Sequence, residues 1–215
     1  MNPRSTTRSK PQSLRIRMKE EARAAILDAA EQVLAEQGIH AARMDDIAAR
    51  VGVSVGTLYN YFEDRKQLLA ALLEVRGREL LAMLDTELER SQGEPYRARL
   101  HGFLRCIVEH SRAHFQLFTL ILEDVLKHGL TSGEDVSREQ ERSLELTRRI
   151  ERLTQQGVEE GALRPEDACL YPTLLLGMLR AALVRQFLDK RPVPVDELIP
   201  SLLRCFLDGA APRPG

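Results

Sequence analysis

The run from Asp45 to Leu69, DDIAARVGVSVGTLYNYFEDRKQLL, constrains this chain more than any other stretch, because it leaves room only for two short helices around a very tight turn. Met44, Ile47, Ala48 and Val51 recur at three- and four-residue intervals, so one short helix buries all four on a single face. Gly52 takes a left-handed backbone cheaply and suits the position just past that helix, while Ser54 offers a hydroxyl to cap the next one. The second helix is predicted over Val55 to Tyr61, anchored inward by Leu58 and Phe62, with Val55, Gly56, Thr57, Asn60 and Tyr61 facing outward. Two helices joined by a three- to four-residue turn containing glycine form the helix-turn-helix pattern, whose second helix lies in the major groove of DNA.

The outward residues suit that role chemically. Gly56 has no side chain and lets the helix start approach a duplex closely, where free N–H groups attract phosphate. Thr57, Tyr59 and Tyr61 carry hydroxyls for phosphate oxygens, and the Thr57 methyl is matched to a thymine methyl. Arg65 and Lys66 follow as cations at the start of the next helix. The plain alternative makes Tyr59 and Tyr61 core aromatics and Arg65 and Lys66 a solvated helix end.

The stretch from Ile26 to Leu69, above all IAARVGVSVGTLYNYF followed by a basic residue and a leucine pair, resembles the DNA-binding domain of the TetR/AcrR family of bacterial transcriptional regulators. The resemblance implies an all-α protein: an N-terminal three-helix helix-turn-helix DNA-binding domain and a larger C-terminal helical ligand-binding and dimerisation domain. It further implies a homodimeric repressor that leaves a near-palindromic operator when a small-molecule effector occupies the body. By the family pattern Gly56, Thr57, Tyr59, Asn60 and Tyr61 fall on the recognition helix, and Arg65 matches a lysine that touches phosphate. Arg43, Met44, Ser54, Val55 and Lys66 complete the DNA-binding candidates. Two positions depart from the pattern. Arg43 stands where a threonine or serine usually caps, and Lys66 stands where an acidic residue is common, which steepens the expected salt dependence.

At 215 residues the chain is long enough for a small domain joined to a larger one. The expected divisions are a basic arm at 1–17, the DNA-binding domain at 18–64, the effector-binding and dimerisation domain at 65–210, and a tail at 211–215. A net charge of −1 gives no global attraction to nucleic acid, so attraction must be local. The first nineteen residues provide it: Arg4, Arg8, Lys10, Arg15, Arg17 and Lys19 stand there without an acidic residue. Two readings of that arm stay open, phosphate or minor-groove tracking and a solvated tail. No apolar leader or membrane-length run is visible, which predicts a cytoplasmic protein with no membrane partner. Cys106, Cys169 and Cys205 form no C-x-x-C pair and read as buried reduced thiols in apolar helical contexts.

Further helices are expected from Met18 to Gln37, with Ile26, Leu27, Ala30, Val33 and Leu34 as its inward stripe and Gly38 as its stop, from Asp64 to about Leu88, and over Tyr96–Ala113, His114–Lys127, Val136–Glu160, Pro165–Lys190 and Val195–Asp208. Asp64 is placed to cap the second of these, and Pro172 requires a kink or a late start in the helix that holds it. The last two helices carry more apolar surface than a terminal hairpin can hide, which nominates Leu174, Leu175, Gly177, Met178, Ala181, Leu202 and Phe206 for a dimer interface. Two heads on a two-fold axis read half-sites about 34–36 Å apart, or a multiple. The resemblance also implies an effector pocket, for which Phe103, Cys106, Ile107, Phe115, Phe118, Leu122, Tyr171 and Met178 are candidates. His110 and His114 are four apart, a metal-compatible spacing without a third ligand, so no metal or other cofactor is expected. With no nucleophile elbow, Walker loop, H-E-x-x-H or Rossmann fingerprint, the chain is not expected to be an enzyme. The competing class is a DNA-binding adaptor without an effector.

Overall fold

The computed structural model describes residues 11–117, 136–189 and 193–210. Helix is the regular structure throughout the described residues, as expected: α1 (Pro11–Gln37), α2 (Met44–Val51), α3 (Val55–Tyr59), α4 (Arg65–Arg90), α5 (Tyr96–Ala113), α6 (Val136–Glu159), a 3-10 turn (Pro165–Asp167), α7 (Tyr171–Leu188) and α8 (Val195–Ala210). The chain divides into two compact units, Met1–Leu73 and Glu74–Gly215, with the division inside α4.

In the first unit Ile26, Leu27, Ala30, Val33 and Leu34 form the buried stripe of α1. Packing α2 on α1 and α3 on α2 adds Ile47, Ala48, Leu58 and Phe62 to the same core. Gly38 ends α1 at φ 80°, the left-handed stop its sequence position predicted. The start differs. α1 begins at Pro11 rather than near Met18, so residues 11–17 of the expected arm are helical, while residues 1–10 lie outside the described residues. The physical reason is propensity: Gln12, Leu14, Arg15, Arg17, Met18 and Lys19 are good helix formers, and proline at the first helical position gives up only an N–H that has no intrahelical partner.

Asp64 caps α4 as expected, its carboxylate accepting the Gln67 N–H at 2.7 Å. Gln67 answers by accepting the Glu63 N–H at 2.7 Å, so two free donors at the helix start are satisfied reciprocally.

In the second unit one apolar cluster gathers Leu84 of α4, Leu100, Phe103 and Ile107 of α5, Ile150 and Leu153 of α6, Leu175 and Leu179 of α7, and Ile199 and Leu203 of α8. Polar ties fix the helices around it. Arg149 of α6 forks onto Asp85 of α4 at 2.8 and 2.6 Å, and Arg105 of α5 bonds Asp196 at the start of α8. Of the two outcomes open for Pro172, the structure takes the late start: a 3-10 turn covers Pro165–Asp167 and α7 begins at Tyr171, leaving Pro172 in the first turn where its ring costs no hydrogen bond. His114 closes α5, residues 115–117 are helical, and the rest of the helix expected over His114–Lys127 lies outside the described residues.

Gly157 of α6 sets a packing limit. A Cβ there would stand 2.6 Å from Cζ of the buried Tyr96 ring and 3.0 Å from Cδ1 of Leu163. Alanine would gain about 1 kcal/mol in helix propensity, whereas overpacking costs about 1–3 kcal/mol. Because the obstacle is a rigid ring with no exposed space to enter, the steric cost prevails. Gly157→Ala is expected to lower the melting temperature, and an unchanged or raised melting temperature in a thermal unfolding scan would refute this packing.

Candidate nucleic-acid interface

The exposed face of the first unit is assembled by three local devices. At the start of α2, Arg43 is extended (φ −110°, ψ 158°) and makes no side-chain cap, as its chemistry requires, since a guanidinium accepts nothing. The carboxylate of Asp46 compensates by accepting the Arg43 backbone N–H at 3.2 Å. Arg43 thereby keeps its side chain exposed. Met44, a DNA-binding candidate from sequence, is 7% exposed and fills the core of the unit, so its side chain is withdrawn from that face.

At the other end of α2, Gly52 takes the left-handed conformation (φ 81°, ψ 31°). Its N–H reaches the Ala49 carbonyl at 3.2 Å and the Val53 N–H reaches the Ala48 carbonyl at 3.0 Å, the paired bonds of a Schellman closure. Ser54 follows in extended conformation and accepts the Thr57 N–H at 3.1 Å. Only one residue, Val53, separates the closure from the cap.

α3 is shorter than expected, ending at Tyr59 instead of Tyr61. Asn60 remains in right-handed conformation, and the Tyr61 N–H bonds the Leu58 carbonyl at 3.0 Å, a tightened last turn that still carries both residues on the helix end. Leu58 and Phe62 are fully buried, as the four-residue spacing required. Gly56, Tyr59 and Asn60 are exposed, and Val55, Thr57 and Tyr61 are half-buried. Tyr59, at 48% exposure, is no core aromatic. The Thr57 hydroxyl lies 2.8 Å from the Ser54 hydroxyl, so the serine both caps the helix and holds the threonine in one rotamer. Ser54 is itself exposed beside the outward row.

Gly56 has open space above it. The nearest atom to a Cβ built there is the Ser54 hydroxyl oxygen at 3.9 Å, an ordinary contact. Nothing inside the chain demands glycine at this position.

Several cations that surround α3 hold the unit together, a use the sequence reading missed. Arg50 of α2 forks onto Glu36 of α1 and also donates to the Gln32 side chain at 3.2 Å. The Arg50 hydrogen bonding to Glu36, more than the charge alone, holds the Glu36 carboxyl below the usual glutamate range. The clamp is complete above the ordinary glutamate pKa and is lost as pH falls through the lowered one. Arg23 of α1 stacks its guanidinium 4.6 Å from the centre of the Phe62 ring. Arg65, half-buried at the start of α4, donates to the backbone carbonyl of Ile39 in the loop after α1. Lys66 beside it is exposed.

The body candidates are placed differently. Phe103, Ile107 and Tyr171 are fully buried in the apolar cluster, with Cys106 and Met178 half-buried against it. Cys169 and Cys205, expected to be buried, are exposed. Tyr171 is committed structurally, donating its hydroxyl to the Arg164 carbonyl at 2.9 Å and meeting Phe206 edge-on at 5.9 Å. Phe115 is 39% exposed, and Phe118 and Leu122 lie outside the described residues. The His110 and His114 rings stand 4.5 Å apart. On α7, Leu174, Gly177 and Ala181 are exposed, while Leu175 is buried in the chain's own core. On α8, Leu202 is half-buried and Phe206 is buried. Leu175 and Phe206 are therefore unavailable to a second chain.

A three-helix head whose glycine-closed turn presents a short, polar, tyrosine-bearing helix defines a helix-turn-helix DNA-binding transcriptional regulator. Residues 26–72 match the profile of bacterial regulatory proteins of the tetR family. The head of the chain is thus similar to the DNA-binding region of tetR-family regulators. It is 28% identical to a helix-turn-helix transcriptional regulator of Bacillus subtilis, YhgD, over 85% of this chain and 92% of that one. It is also 27% identical to the transcriptional repressor KstR2 of Mycobacterium tuberculosis, over 67% of this chain and 70% of the other. The fold is similar to that of the regulator FadR of Bacillus subtilis, solved in complex with stearoyl-CoA, with a TM-score of 0.69 at 18% identity over 86% of this chain and 98% of that one. These relatives are regulators rather than enzymes. Among the described residues no helix is long and apolar enough to cross a membrane.

The Ser54 cap is the least redundant contact of the reading helix. Ser54→Ala is expected to destabilise the first unit by about 1 kcal/mol and to free the Thr57 rotamer, whereas Ser54→Asp, which restores an acceptor, recovers the stability. Equal melting temperatures for all three proteins would remove the cap from this account.

Proposed function

We propose that the chain is a homodimeric, sequence-specific DNA-binding regulator of the cytoplasm, acting as a repressor that a small molecule releases from a near-palindromic operator. In this reading residues 18–64 read DNA and residues 65–210 bind effector and partner. The observation that carries it is the outward row on and just after α3, Gly56, Thr57, Tyr59, Asn60 and Tyr61, held by a Schellman closure on one side and a serine cap on the other. Arg43, Val55 and Lys66 border this row, and Arg65 joins it with those N–H groups not spent on Ile39.

Four substitutions test the row. Gly56→Ala meets no close atom in the chain and gains helix propensity, so it is expected to raise the melting temperature slightly while weakening DNA binding by obstructing close approach. Tyr61→Phe weakens binding across many sequences. Arg65→Ala does the same and lowers the salt slope by about one unit. Thr57→Val relaxes preference at one base pair. Operator titrations over a range of salt give all four readouts, and unchanged affinity in every variant would overturn the assignment.

Support for the two-fold assembly comes from α7. Leu170, Leu174 and Leu188 are 52%, 51% and 74% exposed, and with Gly177 and Ala181 they recur at helical spacing on one face. Gly177 has nothing within 4 Å of a built Cβ, so the centre of the stripe is low and lets a second helix approach. A contiguous apolar face of this kind marks an interaction site. Leu174→Glu together with Gly177→Leu is expected to yield a folded monomer with greatly reduced operator affinity. Persistence of a dimer in sedimentation equilibrium would place the interface elsewhere.

For the effector, the body offers a large apolar cluster that includes Tyr96, with the buried Arg99 guanidinium 5.8 Å from the centre of that ring and paired to Glu160. An apolar interior with few polar groups suits a ligand with a long hydrocarbon part. The stearoyl-CoA bound to FadR of similar fold makes acyl thioesters the first class to try.

A further inference from the structure

We propose that the N-terminal turns of α1 form a second DNA-contacting surface: a ridge of Arg15 and Lys19 that engages backbone phosphates flanking the groove entered by α3. The inference rests on the DNA-binding reading above and adds a partner for a segment with none.

Position is the first argument. Arg23 lies over the Phe62 ring, and the Phe62 N–H bonds the Leu58 carbonyl of α3 at 3.1 Å, so residue 23 of α1 stands against the trailing end of the reading helix. At 1.5 Å per residue, Lys19 and Arg15 lie about 6 and 12 Å farther along the same helix. That span is several phosphates long, since a duplex carries one charge per about 1.7 Å of axis.

Register is the second. Arg15, Lys19 and Arg23 are spaced four apart and so follow one ridge of α1, the ridge whose Arg23 faces the reading helix. Arg17, two residues from each neighbour, falls on a different face.

Charge is the third. Arg15 and Lys19 are exposed, neither has a carboxylate partner among the described residues, and the first turn of α1 holds no acidic residue. Arg15, Arg17 and Lys19 crowd one stretch of α1, and no burial compensates, because Leu14, Ile16 and Met18 are themselves more than half exposed. Phosphates drawn to this stretch would relieve the self-repulsion. The chain as a whole is net negative, which leaves a local surface of this kind to supply attraction.

The test compares Arg15→Gln/Lys19→Gln with Arg17→Gln in the full chain, using fluorescence anisotropy on an operator duplex with long flanks and on one trimmed to the half-sites. Glutamine keeps the helix propensity, and the residues are exposed, so melting temperatures are expected to match the wild type. The double variant should lower the salt slope by about 2 per head on the long duplex, at roughly 0.9 per phosphate, without altering base preference, and trimming the flanks should abolish the difference. Arg17→Gln should leave the slope near the wild-type value. An unchanged slope in the double variant, or an equal drop for Arg17→Gln, overturns the ridge while leaving base reading by α3 intact. Failure of the wild type to bind any duplex overturns both.

Discussion

The aim of the reading helix depends on the backbone of Gly52. Its left-handed conformation reverses the chain within one residue of α2, and the Schellman bonds to Ala48 and Ala49 fix the angle at which Val53 leaves. An L side chain there would pay of order 1 kcal/mol or more for the same φ, and any relaxation would swing α3 on its pivot. Ser54 then consumes the Thr57 N–H, so α3 starts at one defined residue. A helix of only five residues has almost no stability of its own. It exists because closure, cap and the two buried anchors Leu58 and Phe62 act on it together.

The cations of the head divide between holding and reaching. Arg50, Arg23 and Arg65 spend donors on Glu36, the Phe62 face and the Ile39 carbonyl, three contacts that lock α1, α2 and the helix start of α4 around α3. Arg43 and the Arg15 and Lys19 ridge make no such commitment. Exposed ion pairs contribute little each, yet here they constrain orientation, and orientation is what a reader of base edges needs. Arginine suits the split role of residue 65. One guanidinium arm serves the carbonyl and the others remain for the proposed phosphate contact, which the point charge of lysine would do less well.

Much of the head was legible from local sequence because its determinants are local. The 3- and 4-residue spacing marked the buried stripe of α1 and three of the four residues expected inward on α2, Val51 at its end being only half-buried; Gly38 and Gly52 marked two helix ends, and Asp64 and Ser54 two starts. What escaped were contacts between residues far apart in sequence. Nothing near Arg65 announces the Ile39 carbonyl, and nothing near Arg50 announces Glu36. Met44 shows the same limit from the other side: the sequence placed it both on the inward face of α2 and among the DNA-binding candidates, and its burial decides for the core. The start of α1 was missed for a different reason, since propensity alone carries Gln12 to Lys19 into helix where no apolar face signals it.

In the body the ambiguity is one of facing. α7 is apolar on nearly every side, so its sequence cannot tell which leucines pack inward, and Leu174 and Leu175 were equally eligible for a partner. Tertiary packing breaks the tie. α5, α6 and α8 take Tyr171, Leu175, Leu179 and Leu183 into the chain's own core, and the 3.6-residue period then obliges Leu170, Leu174, Gly177, Ala181 and Leu188 to the opposite side. An amphipathic helix would have polar residues there; this one has leucine, glycine and alanine. In the proposed dimer a two-fold copy of the same stripe would cover it, and the open space at Gly177 leaves room at its centre for a second helix to approach.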